Sequence, residues 1–548
     1  MTRVAYALAT VSVLGVLLLA GCGGGDGGNG GPQPHDWTLA EAMALPNPNT
    51  PGTASSSALD RLAGWMDGEG LPEDDAQLQD ELDWWCEWVQ DQRNDPAGQL
   101  GLMMVILATA SRNGADALGY DLFEELGVQD VAALAVSDTL GPAAIAGDAL
   151  ATIQMRGVPK LRPLNGQLSP AADDDIPPAD ELEQWRAAIR THLLPALADA
   201  QERLAGLAAS CNPTTALMTI QREGETYSVY AADCHALNAA LGLVRSMLLG
   251  LTAVNMNYGG YDWSLDLEER DANGDGKLTV AEYAPAAPFG AIEAASWTAA
   301  GQVLRNAVSS LISALAPACL PSDPNALIQR ALADAEESDL EQLRTYLSDA
   351  LAMLSGQVNV EVEYARWEFD SAAHTAAWVD EGSTEVPLNL RQAWDSPPAS
   401  IQALLPPLYK MLAWGDYLTS SEEVLLSLEF DQWTGNQLSY RYTAGASSGT
   451  APIAINNQAH GLSTAQGQAN ISADWSTCTL GGDSGVRDTQ WDDQWEPFTW
   501  VPRWDEIPDR TISGIFPDPE QVRDLILAHY DRLVIRYGSF EIVYDSTQ

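Results

Sequence analysis

From about residue 58 to 356 the apolar residues of this chain recur at steps of three and four, and at 357 the period changes to two. A helix repeats every 3.6 residues and a strand every two, so these spacings call for helices first and sheet second. In the first part, Leu237, Leu241, Val244, Leu248 and Leu251 predict the buried face of one helix, and Leu304, Val308, Leu311 and Leu315 that of another. Leu340, Leu343, Leu347, Leu351 and Leu354 repeat the pattern. Ser338 and Glu341 have capping-box spacing at the start of that helix, and Gly356 ends it. A helix over 181–209 is expected to kink at Pro195, which has no N–H to give the ladder. An earlier helical group, 58–155, contains Trp84, Trp85 and Trp88.

Beyond 357, Val358, Val360, Val362 and Tyr364 alternate with Asn359, Glu361 and Glu363, the pattern of an antiparallel strand with one buried face. Leu426, Leu428 and Phe430, then Gly435-Asn436, then Leu438, Tyr440 and Tyr442 predict a hairpin. Ala469, Ile471, Ala473 and Trp475 predict a further strand, and a helix is expected near 398–414. Asp518 and Pro519 suit the N-cap and first turn of a helix over 518–533, and Phe540, Ile542 and Tyr544 a closing strand. The expected fold class is α+β: a mainly helical N-terminal body over 58–356, then a strand-rich antiparallel region over 357–548. No repeat of fixed period is found.

The first residues concern address rather than fold. Arg3 precedes an apolar run from Ala5 to Leu19, too short for a comfortable bilayer span, which closes on Leu19-Ala20-Gly21-Cys22. This end resembles the lipobox of bacterial lipoprotein signal peptides. The resemblance implies removal of 1–21 and lipidation of Cys22, several acyl chains holding the protein where one would bind only marginally. Gly23 in place of Asp after the cysteine implies sorting to the outer membrane. Residues 22–57, rich in Gly, Pro and Ser, are expected to form a flexible tether.

The 76 acidic residues face 27 basic ones, a formal net charge of −49. Such a field repels nucleic acid and anionic headgroups, so contact with a membrane is expected through the N-terminal lipid alone. Only Lys160, Lys277 and Lys410 are lysines. Apart from Cys22 there are five cysteines, Cys86, Cys211, Cys234, Cys319 and Cys478, with no CxxC pair among them. One or two disulfides are expected, with their pairing open.

The sharpest local signal is DANGDGKLTVAE, residues 271–282. It resembles the EF-hand loop, which extracellular repeats such as dockerin also use. The resemblance implies a Ca2+ cofactor held by oxygens of Asp271, Asn273, Asp275, Thr279 and Glu282 and by the carbonyl of Lys277, with Gly276 at the sharp turn and Leu278 packed inward. The pattern departs from the family outside the loop. There is no second loop, and Pro285 and Pro288 cut the exiting helix short, which favours a static structural site over an opening switch.

Catalytic patterns are weaker. Gly482-Asp483-Ser484-Gly485 and His374 resemble parts of the trypsin-like protease motif. However, Val486 stands where that family has a second glycine, and the strand pattern is interrupted. His35, His192, His235, His460 and His529 show no metal-ligand spacing. Trp491, Trp495, Trp500 and Trp504 are expected to be mainly buried; exposed, they would stack on sugars or anchor a partner. Asp492, Asp493, Asp505 and Asp509 are candidates for a second ion. The reading is a lipid-anchored cell-envelope protein with a structural or ligand-binding role, its ligand an envelope protein or a glycan. The alternative is an envelope hydrolase acting on glycan or peptide.

Overall fold

A computed structural model of the chain describes residues 36–66, 74–118, 179–262, 267–273, 276–370, 375–412 and 498–545, with short breaks, and the strands between 415 and 481. The fold is α+β. Its helices in chain order are α1 (Leu39–Met43), α2 (Ser56–Met66), α3 (Asp75–Asp91), α4 (Pro96–Ala117), α5 (Ala179–Ala188), α6 (Leu194–Leu207) and α7 (Ala231–Ala253). Then come α8 (Leu267–Arg270), α9 (Val280–Tyr283), α10 (Ala294–Leu315), α11 (Leu327–Ala331), α12 (Glu337–Ser355), α13 (Leu390–Asp395) and α14 (Pro519–Leu527).

A hairpin, β1 (Met218–Arg222) and β2 (Glu225–Val229), precedes α7, and the two-residue strand β3 (Lys277–Leu278) lies between α8 and α9. The remaining strands follow α12. They start with β4 (Val358–Asp370), β5 (Thr375–Leu388), β6 (Leu408–Leu412), β7 (Gly415–Leu418), β8 (Val424–Thr434), β9 (Gln437–Ala444) and β10 (Ser447–Ile453). They end with β11 (Ser472–Asp474), β12 (Thr479–Gly481), β13 (Phe498–Pro502), β14 (Arg532–Tyr537) and β15 (Phe540–Asp545). All of these pairings are antiparallel, in sheets ordered β15-β14-β4-β5, β10-β9-β8-β7, β11-β12 and β13-β6-β3.

The change of period is also the change of structure: α12 ends at Ser355 and β4 begins at Val358. Val360 and Val362 are buried with Val386 of β5 and pack against Val522 and Leu525 of α14, as the alternation predicts. Thr434 pairs with Gln437, which makes β8 and β9 the expected hairpin.

The largest core joins α2, α3, α4 and α6 through Leu62, Leu82, Trp85, Leu102, Ile106 and Leu204. A second gathers Ala232 and Ala236 of α7, Leu315 at the end of α10, Ile328 and Leu340. α7 is long and apolar enough to cross a membrane, with a mean hydropathy of 1.4 in its most apolar window, but half of that window is buried within the protein.

Here one expectation holds only in part. Of the predicted face of α7, Leu241 is buried and Leu237 and Leu248 pack half-buried against the largest core, while Val244 is 41% and Leu251 56% exposed. Beside Leu241 and Leu249, most of the buried surface is small, Ala232, Ala236, Ala239, Ala240 and Gly242, and α10 comes close at Gly242. A Cβ on Gly242 would meet the Cβ of Ala307 at 2.8 Å. Spacing of large residues does not reveal a face that packs by smallness.

Other boundaries move for local reasons. The predicted capping box Ser338/Glu341 is replaced by Glu336 and Asp339, two residues earlier. Where a kink is expected at Pro195, a π-helical turn over Ile189–Leu193 interrupts the α-helix just ahead of the proline. The helix expected near 398–414 is a 3-10 turn, Ile401–Leu404, followed by β6, because Pro406-Pro407 cannot continue a helix. Asp518 does cap α14, accepting from the Gln521 N–H at 3.2 Å, but by Arg532 the chain is already in β14.

The tether expected over 22–57 also requires correction in its second half. Thr38 and Glu41 form a capping box at α1, and Ala42 is fully buried. Arg203, itself fully buried, donates to the carbonyls of Ala42 and Leu45 and to Gln99 Oε1, and pairs with Asp199 Oδ2 at 2.7 Å. A buried guanidinium needs acceptors, and this segment supplies two of them as backbone carbonyls. Residues 22–35, including Cys22, lie outside the described residues.

Cys211 and Cys319 form a disulfide, and Cys86 and Cys234 are free and buried. Cys478 lies outside the described residues.

Candidate metal centre

The stretch 271–282 runs from the end of α8 through β3 into α9. Its reversal is made at Gly276, whose φ of 71° lies in the left-handed region that strains any side chain. The Gly276 N–H donates to Asp271 Oδ2 over 2.9 Å, folding the first carboxylate back across the turn. Leu278 is fully buried beneath the loop. Thr279 then caps α9: its N–H and its Oγ1 both donate to Glu282 Oε2 at 2.7 Å, which draws the last carboxylate back toward the loop.

Asp271 and Glu282 are half-buried, and Asn273 and Thr279 exposed, so the oxygens lie at the protein's rim. Asp275 lies outside the described residues. The described side chains among the predicted ligands, other than Lys277, offer only hard oxygen or amide donors, which suits calcium and not a soft metal.

The loop is tied to the C-terminal strands. β3 pairs antiparallel with β6, Lys277 opposite Tyr409 and Leu278 opposite Leu408. The Lys277 ammonium sits 4.8 Å from the centre of the Tyr409 ring and 3.5 Å from Glu506 Oε2. Burial works against its charge, but Tyr409 and Glu506 outweigh burial and lift the ammonium above the ordinary lysine range. Tyr409 donates its hydroxyl to Glu506 Oε2 at 2.9 Å, and Arg503, 2% exposed, lies 3.2 Å from Glu506 Oε1. With its side chain engaged there, Lys277 is left with its carbonyl as the donor the loop pattern asks of it.

Two tyrosines fix the ends. Tyr261 donates to the carbonyl of Tyr283, and Tyr283 donates to the carbonyl of Pro406 at 2.6 Å. Burial pushes the Tyr283 phenol up to about 12, so it remains a donor at any ordinary pH. The guanidinium of Arg270 lies 4.1 Å from the centre of the Tyr261 ring. Sequence reasoning did not find Tyr409, Arg503 or Glu506, because they lie more than a hundred residues from the loop and carry no motif.

The other predicted sites gain little from the structure. Ser484, His374, Trp491, Trp495, Trp504, Asp492, Asp493 and Asp505 lie outside the described residues, and Trp500 is half-buried in β13. Asp509 closes a turn, accepting from Thr511 Oγ1 at 2.8 Å and from the Ser513 N–H at 2.6 Å.

Comparison with known protein families, curated proteins and solved structures gives no match. The residues alone carry the functional reading.

Proposed function

We propose that this chain is a lipid-anchored envelope protein in which one calcium ion at residues 271–282 pins the helical body to the strands that follow it. The observation that carries the reading is the pairing of β3 with β6. EF-hand loops come in pairs, and the sequence holds no second loop to stand as partner to this one. In this chain β6 takes the place of that partner, so an ion closing the loop would brace a strand from beyond residue 400.

The flanking helices, Leu267–Arg270 and Val280–Tyr283, have four residues each, too short to swing open as levers. That supports a static brace over a sensor. The lipid anchor rests on Leu19-Ala20-Gly21-Cys22, and the envelope location follows from it.

Two experiments test the two halves separately. Calorimetric titration of the protein with calcium should show binding of one ion per chain, and absence of heat refutes the brace. Mass analysis of protein purified from membranes should find a chain beginning at an acylated Cys22; an unmodified or differently cut N-terminus refutes the anchor.

A further inference from the structure

Among the described residues, one cluster of metal-ligating atoms lies apart from the calcium loop. Cys211, just after α6, and Cys319, just after α10, are joined as a disulfide. His235, early in α7, lies beside them: one ligand atom of its ring and the two sulfurs are all within 4.8 Å of one another. The Nδ1 atom of His235 is buried and has no hydrogen-bond partner. A polar atom left unsatisfied away from water costs about 1–3 kcal/mol, so an unpartnered Nδ1 on a ring that lies beside two sulfurs calls for an explanation.

We infer that Cys211, Cys319 and His235 form a second metal site, closed while the disulfide stands and opened by its reduction, which takes a zinc-like soft divalent cation. The exposed Cys211 gives a reductant access, and the buried Cys319 and half-buried His235 complete the cluster. A dithiol breaks the S–S bond and closes to its own disulfide, passing two electrons and two protons to the cysteines. The cation then displaces both thiol protons to solvent and binds two thiolates and the imidazole, with water in the fourth position. Zinc sits about 2.3 Å from sulfur and about 2.0 Å from imidazole nitrogen, which places ligand atoms about 3.5–4 Å apart around a tetrahedron. The three ligand atoms lie within 4.8 Å of one another, so the sulfurs must part and the ring must close in by no more than about 1 Å to reach that spacing.

Donor softness separates the two sites: the loop offers oxygens for calcium, and this cluster offers sulfur and nitrogen for zinc.

The test uses the full chain with its loop saturated by calcium, oxidised or reduced with a phosphine that leaves zinc free. Zinc retained after gel filtration is counted, cobalt is added in parallel for its thiolate charge-transfer and tetrahedral bands, and melting is followed with and without zinc. The reduced chain should hold one zinc, show both cobalt bands and melt higher with zinc, while the oxidised chain does none of these. His235→Ala should weaken zinc at least about tenfold, and the double variant C211S/C319S should abolish the cobalt charge-transfer band. Equal zinc in the oxidised and reduced chains, unchanged affinity in His235→Ala, or loss of the fold on reduction without rescue by zinc each overturns the inference.

Discussion

Glu282 has two roles at the residue scale, and they can be separated. It caps α9 through Thr279, and in the proposed site it closes around the ion. Glutamine also serves in a capping box, so Glu282→Gln should leave the calcium-free melting temperature within about 1 °C of wild type while lowering calcium affinity by at least tenfold, about 1.4 kcal/mol. Calorimetry and melting on the same sample check both halves.

A second prediction at this scale concerns Glu81, 8% exposed on α3. Burial raises its carboxyl above the usual range although Arg61 opposes the shift. A raised folded pKa means that the native state holds the proton more tightly than the unfolded chain. This contribution is full below the unfolded pKa and is lost as pH rises through the folded one. Glu81→Gln should therefore gain on wild type in urea midpoint as the pH is raised from about 4 to about 7. A constant difference across that range contradicts the assignment.

The loop's donors were legible because they are consecutive and their spacing is set by the ion. His235 was not, because its two neighbours arrive from other segments and only the packing of α6, α7 and α10 brings them together.

At the scale of elements, packing that depends on smallness makes the sharpest prediction. Gly242→Leu places a side chain where α10 already stands, and it should cost about 1–3 kcal/mol, read as a lowered urea midpoint with unchanged helical circular dichroism. An unchanged midpoint would show that α7 and α10 are less closely engaged than described. The same feature hides part of the α7 contact in the sequence: Leu and Val carry the visible spacing, while alanine and glycine make the approach to α10. The helix expected near 398–414 failed for a different reason, because two prolines outweigh an apolar pattern.

For the whole molecule, the switch of spacing at 357 located the change from helix to strand, since periodicity is a property of each segment alone. How the two parts meet was not legible. Segments from beyond the switch return to the helices, β6 to β3 and Trp394 of α13 to Trp297 of α10, with ring centres 5.3 Å apart. The anchoring of 36–57 was hidden for a similar reason, because its partners, Asp83, Arg93, Asp95 and the buried Arg203, come from later in the chain.

An excess of acid this large invites any cation, so a specific effect of calcium has to be separated from screening. The most direct measurement is the melting of the mature protein with calcium, with magnesium at equal ionic strength, and with chelator. Calcium should stabilise by about 2.7 kcal/mol at a hundredfold excess over Kd, far beyond magnesium, and Glu282→Gln, its affinity lowered at least tenfold, should cut this to about 1.4 kcal/mol or less. Coincident melting curves in calcium, magnesium and chelator would contradict it.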